Sequence, residues 1–549
     1  MPVEEDGSAL FTIPANTPIS LQPLDSCGRA VQWMRSWLTG MPGETVSCIG
    51  CHEDQNQIPI PKRVVASTIN PLAIALPEGG QRPFTFELEV QPVLDRACIA
   101  CHDGSNKLAD FTGGRIDDFT GFGKSYLNLH PYIHRQGPEA EIEVLNPYEY
   151  HASTSQLIKM LKTGHHGVEL TDKEWKTLYN WIDFNAPYHS KFKANIFKGV
   201  EQISRRTELT EKYAGSGVDW QSEIRAYADY LDKQPKPSPV KPERREYKNK
   251  EVNVKGWPFD ATIAKSMLAK EQETKKSIEL APGIVMNFVR IPAGKFVMGS
   301  NKGHSDYSPA NKQEVKKAFW MAEIEVSNEQ FRTIFPDHNS RFVNQLWKDH
   351  VHQGYPANNP EQPAIRVSWE EAMAFCEKLS EKTGLKVTLP TEMQWEWACR
   401  AGSESDFWYG ALNTDFAAYE NMGDKQLNKL AVRGVNPQPM SPGDPWYKYY
   451  TYQPKDNNVD DGNMLMVKGG GYQANPWGLY DMQGNIAEWT RSDYLPYPYN
   501  EKAQGNGTEK VVRGGSWTDH PKTSTAYYRK SYLPWQKVHN VGFRVIIED

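Results

Sequence analysis

Residues 475–489 read Asn475-Pro-Trp-Gly-Leu-Tyr-Asp-Met-Gln-Gly-Asn-Ile-Ala-Glu-Trp489, and residues 513–517 read Arg513-Gly-Gly-Ser-Trp517. Their glycines sit among large aromatic and aliphatic residues, which marks tight turns where backbone must come close. Outward from these turns, three pairs have capping-box spacing: Ser327 with Gln330, Ser368 with Glu371, and Thr391 with Gln394. The second pair opens a helix whose apolar face is Ala372, Phe375, Cys376 and Leu379, closed by Gly384. These features place a globular region from about residue 278 to the end.

The motifs of this region run in order. They are RIPAGKFVMGS (290–300), IEVSNEQF (324–331), PAIRVSWEEAMAFCEKL (363–379), LPTEMQWEWACRAG (389–402), NPWGLYDMQGNIAEW (475–489), RGGSW (513–517) and NVGFRV (540–545). Together they resemble the formylglycine-generating enzyme or sulfatase-modifying-factor superfamily. The resemblance implies a C-type-lectin-like mixed α/β fold with long irregular loops. In catalytic members it also implies a cysteine pair, the first a few residues past the GGS turn, that binds copper and activates oxygen. Here that run is Thr518-Asp519-His520-Pro521-Lys522-Thr523-Ser524-Thr525, without cysteine. Soft Cu(I) needs thiolates, whereas Asp519 and His520 are hard or borderline ligands, so the warrant for formylglycine generation is gone. Asp519, His520 and Ser516 are left as candidate catalytic residues, and Cys376 and Cys399 read as core thiols. Sulfoxide-synthase branches of the superfamily hold non-haem iron through an HxxxH…E pattern in an added helical domain. The nearest spacing here is His130-Pro-Tyr-Ile-His134, which has no matching partner. The resemblance further implies structural calcium on oxygen ligands. The matching positions are Asn421 with the Met422 carbonyl, Asp461 with the Asn463 carbonyl, and Glu488 with carbonyls of the turn Gln483, Gly484 and Ile486.

Two CxxCH pentapeptides, Cys48-Ile-Gly-Cys51-His52 and Cys98-Ile-Ala-Cys101-His102, take four of the seven cysteines. At this spacing two thiols reach the two vinyl groups of one haem while the adjoining imidazole takes the iron. Neither a zinc knuckle nor a redox dithiol requires that His. The reading is two covalent c-type haems. His165 and His166, in the Gly-flanked loop 163–167, are the distal candidates for the second haem, with His166 preferred. The segments PVEEDGSALFTIPANTPI, SCIGCH, VQPVLDRACIACHDG and HASTSQLIKMLKTGHHGVELTDKEWKTLYNWIDFNAPYH resemble the C-terminal cytochrome portion of proteins related to the hydrazine synthase alpha subunit, over about residues 1–195. In such proteins a propeller-like domain precedes this module. The likeness does not carry hydrazine chemistry with it.

The expected organisation is a short β segment (1–40), a mainly α dihaem module (41–200), a linker (201–277) centred on KQPKPSPVKPERR, and the mixed α/β domain (278–549). Thr171 with Glu174 caps the last helix of the dihaem module, which carries Trp175, Leu178, Trp181 and Ile182 at helical spacing. The net charge of −6 gives no basic surface for nucleic acid, and no apolar run is long enough to span a bilayer. Haem attachment at CxxCH takes place outside the cytoplasm, so the chain is expected to be periplasmic or otherwise exported. Met1-Pro-Val-Glu-Glu lacks the basic and apolar regions of a signal peptide, so the exported protein is expected to begin upstream. Three functions fit. The first is an electron-transfer cytochrome, with a protein or small-molecule redox partner, whose C-terminal domain is a docking or ligand-binding scaffold. The second is an oxidoreductase with a non-haem metal in that domain, and the third is a lectin-like binding protein.

Overall fold

The computed structural model describes residues 3–34, 37–48, 63–75, 84–106, 108–135, 146–188, 208–209, 211–213, 220–233, 237–242, 252–301, 305–343, 354–430, 432–433, 438–445, 447, 455–499 and 509–548. The chain forms two compact units: Met1–Leu129 with Leu170–Lys241, and His130–Glu169 with Pro242–Asp549. Among the described residues no helix is long and apolar enough to cross a membrane.

The first unit is built on the helices Gln91–Ala97, Lys124–Leu129 and Asp172–Asp183. The first of these continues directly from the helical stretch Phe86–Val90, which Thr85 caps by accepting from Leu88 N–H. Thr171 and Glu174 make both reciprocal bonds of a capping box on the third. Phe86, Leu94, Leu129, Trp181 and Ile182 form the buried centre, and Phe86 lies 5.2 Å from the Tyr126 ring and 5.3 Å from Trp181. Within the β-prone start, Ile19 bridges Leu38 and Leu24 bridges Ala30, both antiparallel. Phe11–Thr12 pairs in parallel with Leu72–Ala73, and Ala30 N–H donates to the buried Asp183 carboxylate at 2.7 Å. Part of the expected linker is held too, since Val240 N–H donates to the Arg96 carbonyl at 2.8 Å.

The second unit is sheet-rich. Its five-stranded antiparallel sheet runs Lys386–Thr388, Ile546–Glu548, Phe319–Ala322, Ile284–Ile291 and Lys275–Ala281. A four-stranded sheet runs Lys530–Tyr532, Lys510–Arg513, Ala487–Asp493 and Val541–Gly542, with the last pair parallel. All three expected capping boxes are present, and the helix Trp369–Thr383 buries Ala372, Phe375, Cys376 and Leu379 before Gly384 ends it at φ 70°. Trp395, Trp397, Trp477, Trp489 and Trp517 are fully buried. Charges run through this core in pairs. Arg513 meets Glu392 and Glu396 at 2.6 Å each, Arg529 meets Glu392 at 2.6 Å, and Arg400 meets Glu396 at 2.8 Å. Ions this deep persist only when each has a matched partner.

The expected boundary at about residue 200 differs from the fold, because His130–Glu169 groups with the second unit. The buried Glu149 carboxylate pairs with the buried Arg366 guanidinium at 2.7 Å. Gln536 Nε2 donates to the Tyr148 carbonyl at 2.7 Å, the Tyr148 ring packs 5.2 Å from Trp535, and Lys159 donates to the Ser531 carbonyl. None of these partners is local, so helical or strand periodicity carried no trace of them.

Candidate functional site

The second CxxCH motif begins where the helix Gln91–Ala97 ends. Cys98 N–H completes the last turn on the Leu94 carbonyl at 2.8 Å, and the N–H groups of Cys101 and His102 fold back on the Cys98 carbonyl at 3.1 and 3.0 Å. His102 Nδ1 lies 3.0 Å from the Ala109 carbonyl, which makes it the donor and puts the ring's lone pair on Nε2. Phe111 packs on that ring at 4.9 Å. Burial pushes the Cys98 thiol up to about 12. Of the first motif, Cys48 is exposed, while Cys51 and His52 lie outside the described residues. His165 and His166 form a one-turn helix, His165–Gly167, with their rings 4.6 Å apart, and they belong to the second unit.

In the second unit the GGS turn has a steric reason. Gly515 has φ 72°, and a Cβ there would stand 2.1 Å from Ser524 Oγ. Beyond the turn, Asp519 is engaged on both oxygens. Ser516 Oγ–H donates to it at 2.7 Å, Asn540 Nδ2 at 3.4 Å, and Lys530 pairs with the other oxygen. His520 is a turn cap, its Nδ1 accepting from Lys522 N–H at 3.0 Å, and burial, then Lys522, lowers its pKa. Ser516 and Asp519 therefore share one network, and His520 lies outside it. Cys376 and Cys399 are buried, and desolvation raises both thiols well above their ordinary range.

Beside this network lies a cluster of rings that the sequence did not announce. His134 stacks at 4.6 Å on Tyr150 and 4.8 Å on His539. Tyr150 and His539 are nearly parallel, at 16°, and Trp517 meets His539 edge-on at 6.4 Å. Burial, then His151, lowers the His134 pKa to about 3. His539 is lowered in the same way by burial, with His134 next. The second histidine of the HPYIH segment thus sits with the C-terminal domain, 4.8 Å from a histidine some 400 residues away.

The calcium positions divide into two sets. Asn421 Oδ1 and Asp461 Oδ2 are buried without a hydrogen-bond partner. Burial raises the Asp461 carboxyl to about 7. A cavity of about 460 Å³ opens beside Asp461 and Asn463. Glu488 differs from the expectation. Both its oxygens accept from Arg544 Nε, at 2.8 and 2.9 Å, and one also from Trp395 Nε1 at 2.7 Å, so its charge is already neutralised. Around that turn the Gln483 side-chain amide donates to the Ser524 and Asp406 carbonyls, while a Cβ on Gly484 would stand 2.3 Å from the Asn421 carbonyl. Ile486 is packed in the core. The open oxygens near that turn are Glu325 Oε2 and Asp481 Oδ1. Burial raises both carboxyls, Asp481 to about 6, and the charge of Asp481 adds to the effect on Glu325. The sequence reading missed both residues, although acids inside the apolar motifs IEVSNEQF and NPWGLYDMQGNIAEW were the available sign. Among the described residues no three His, Cys, Asp or Glu side chains gather as a metal-holding group.

Comparison with known proteins gives two family matches. Residues 274–549 match the sulfatase-modifying factor enzyme 1-like domain, and residues 1–53 match the hydrazine synthase alpha subunit middle domain. Formylglycine-generating enzyme of Mus musculus is 25% identical over 314 residues, covering 48% of this chain and 75% of that protein. Inactive C-alpha-formylglycine-generating enzyme 2 of Bos taurus is 25% identical over 313 residues, covering 49% of this chain and 90% of that protein. Among solved structures, PvdO from Pseudomonas aeruginosa aligns with TM-score 0.37 and 20% identity, covering 51% of this chain and all of that one.

Proposed function

Since the chain belongs, through residues 274–549, to the sulfatase-modifying factor enzyme 1-like family, we propose that it carries this domain as a ligand-binding scaffold on an exported dihaem electron-transfer protein. The observation that carries the electron-transfer part is the second CxxCH motif. Its His102 is held in the tautomer that iron ligation uses, at a helix end that also presents Cys98 and Cys101. Haem c would supply one-electron chemistry there, with His52 and His102 as proximal ligands and His166 or His165 as a distal one. The electrons would come from, or go to, a protein or small-molecule redox partner.

The scaffold reading rests on the run after the GGS turn. Asp519 stands there as one half of an ion pair with Lys530, and the nearest thiols by sequence, Cys376 and Cys399, are core residues. No soft donor pair for copper is present among these residues, and one relative of similar identity is itself described as inactive. Calcium fits the oxygens left open on Asn421 and on Asp461, and those of Glu325 and Asp481, which are close enough for the charge of Asp481 to raise the Glu325 carboxyl. A hard cation there would neutralise carboxylates that burial otherwise penalises.

The test is expression of the whole chain with an export signal and a haem-attachment system. Pyridine haemochrome is expected to give two haems per chain, and metal analysis calcium without stoichiometric copper. No formylglycine should form on a cysteine-bearing sulfatase peptide. A colourless chain of bare polypeptide mass holding zinc overturns the electron-transfer reading, and peptide oxidation overturns the scaffold reading.

A further inference from the structure

A cavity of about 550 Å³ lies in the first unit, beside the second CxxCH motif. One of its walls is a single helical face. Glu87, Gln91, Asp95 and Ile99 follow one another at four-residue intervals along Phe86–Val90, Gln91–Ala97 and the motif itself. Ser125, Tyr188 and two linker prolines, Pro237 and Pro239, supply further lining. The bond from Val240 N–H to the Arg96 carbonyl holds that piece of linker in place. Cys98, Cys101 and His102 do not line the cavity, so it is distinct from the groups that would hold haem.

The side-chain donors around this cavity are already engaged. A tyrosine or serine hydroxyl has one proton to give, and a glutamine amide has two. Tyr188 donates to Glu87 Oε1 at 2.9 Å, and Ser125 to Gln91 Oε1 at 2.7 Å. Gln91 uses both of its protons, on Asp95 Oδ1 at 2.7 Å and on the Phe111 carbonyl at 2.9 Å. What remains is acceptor capacity, most of it carboxylate oxygen. Glu87 and Asp95 are the charged groups among the described lining residues, both are negative, and neither is ion-paired among the described residues. Such a lining selects a cation with N–H donors, and Phe86, Ile99 and the prolines give it an apolar body to lie against. Eight residues of helix put Glu87 and Asp95 about 12 Å apart along the axis, which suits an ammonium group for each carboxylate.

We infer that this cavity binds a linear aliphatic diammonium ion, one end at Glu87 and the other at Asp95, its methylene chain against the apolar wall. The inference goes beyond the electron-transfer reading and does not rest on it, because no lining residue is a proposed haem ligand. It also gives residues 237–240 of the linker a role as one wall of a binding site.

The probe is cadaverine dihydrochloride, titrated calorimetrically into the full-length protein. Pentylamine and pentanol serve as the same chain with one charged end or none. One saturable site per chain is expected for cadaverine, with pentylamine weaker by about tenfold or more, as one lost hydrogen bond to a charge requires, and pentanol weaker again. Glu87→Gln and Asp95→Asn each keep an acceptor for Tyr188 or Gln91 while removing a charge, and each should bring cadaverine close to the affinity of pentylamine. Thermal melting within a few degrees of the parent shows that each variant is folded. Raising sodium chloride from about 0.05 to about 0.5 M should weaken cadaverine several-fold in the parent and leave pentanol unchanged, a reading that needs no variant. No saturable heat from cadaverine overturns the inference. So does equal affinity for cadaverine and pentanol, or parental affinity in both variants.

Discussion

The end of the helix Gln91–Ala97 and the turn Arg513–Trp517 are the two places where the resemblances look for cysteine, and they differ: the first has it and the second does not. At the first, Cys98 and Cys101 are kept, and the surrounding hydrogen bonds serve to aim His102. At the second, the resemblance leads one to expect thiols, yet Asp519 stands locked to Ser516, Asn540 and Lys530, and buried ion pairs hold the sheet behind it. One region sets two cysteines and an oriented imidazole in a lightly built surround. The other sets a run without cysteine on a scaffold of buried ion pairs and tryptophans. The stability of such a scaffold comes from paired charges and tryptophans and does not require metal donors at the turn.

The widest break between the two regions should come from Cys98→Ser with Cys101→Ser. This is expected to halve the haem content measured by pyridine haemochrome while residues 274–549 stay folded. In the opposite region, Arg513→Met strands Glu392 and Glu396 without one of their partners. It should cost about 3–5 kcal/mol in chemical denaturation, and haem content should not change.

A smaller effect follows from pH. His134, lowered to about 3, and His539, lowered in the same direction, bind fewer protons when folded than when unfolded, where imidazole titrates near 6.5. Their contribution is complete above about pH 6.5 and is lost as pH falls from there toward 3. Hydrogen exchange should therefore show residues 130–135 and 146–162 loosening at pH 5 relative to pH 7. The helix Trp369–Thr383, whose buried face carries no histidine, should not change. The smallest effect is expected from Asp519→Asn, which loses a half-screened pair with Lys530 and should cost about 1 kcal/mol by urea denaturation.

Much of the C-terminal unit was legible because its signals are local. A Ser or Thr three residues before Gln or Glu reports a helix start, and each of the four pairs singled out makes both bonds. The glycines of QGN and RGGSW announced close approach, and the fold puts the Asn421 carbonyl and the Ser524 hydroxyl there. What stayed hidden depends on distant partners. The pairing of Arg513 and Arg529 with buried glutamates has no sign in the adjacent sequence, where charges ordinarily face solvent. Glu488, given as a calcium position by resemblance, likewise has its partner Arg544 56 residues on. The docking of residues 130–169 was hidden because a helix such as Gln156–Lys162 reads identically in either unit.

The Glu149–Arg366 pair joins residues 217 positions apart, and the Gln536 bond to Tyr148 joins residues 388 apart. At the ribosome's pace of about 5–20 residues per second, Tyr148 waits roughly 20–80 s for its partner to be synthesised. During that interval Glu149 and Tyr148 lack the Arg366 and Gln536 groups that hold them. Maturation of the second unit is thus ordered in time: the buried Glu149 carboxylate and the Tyr148 carbonyl find their partners only when the C-terminal part of the chain has been made.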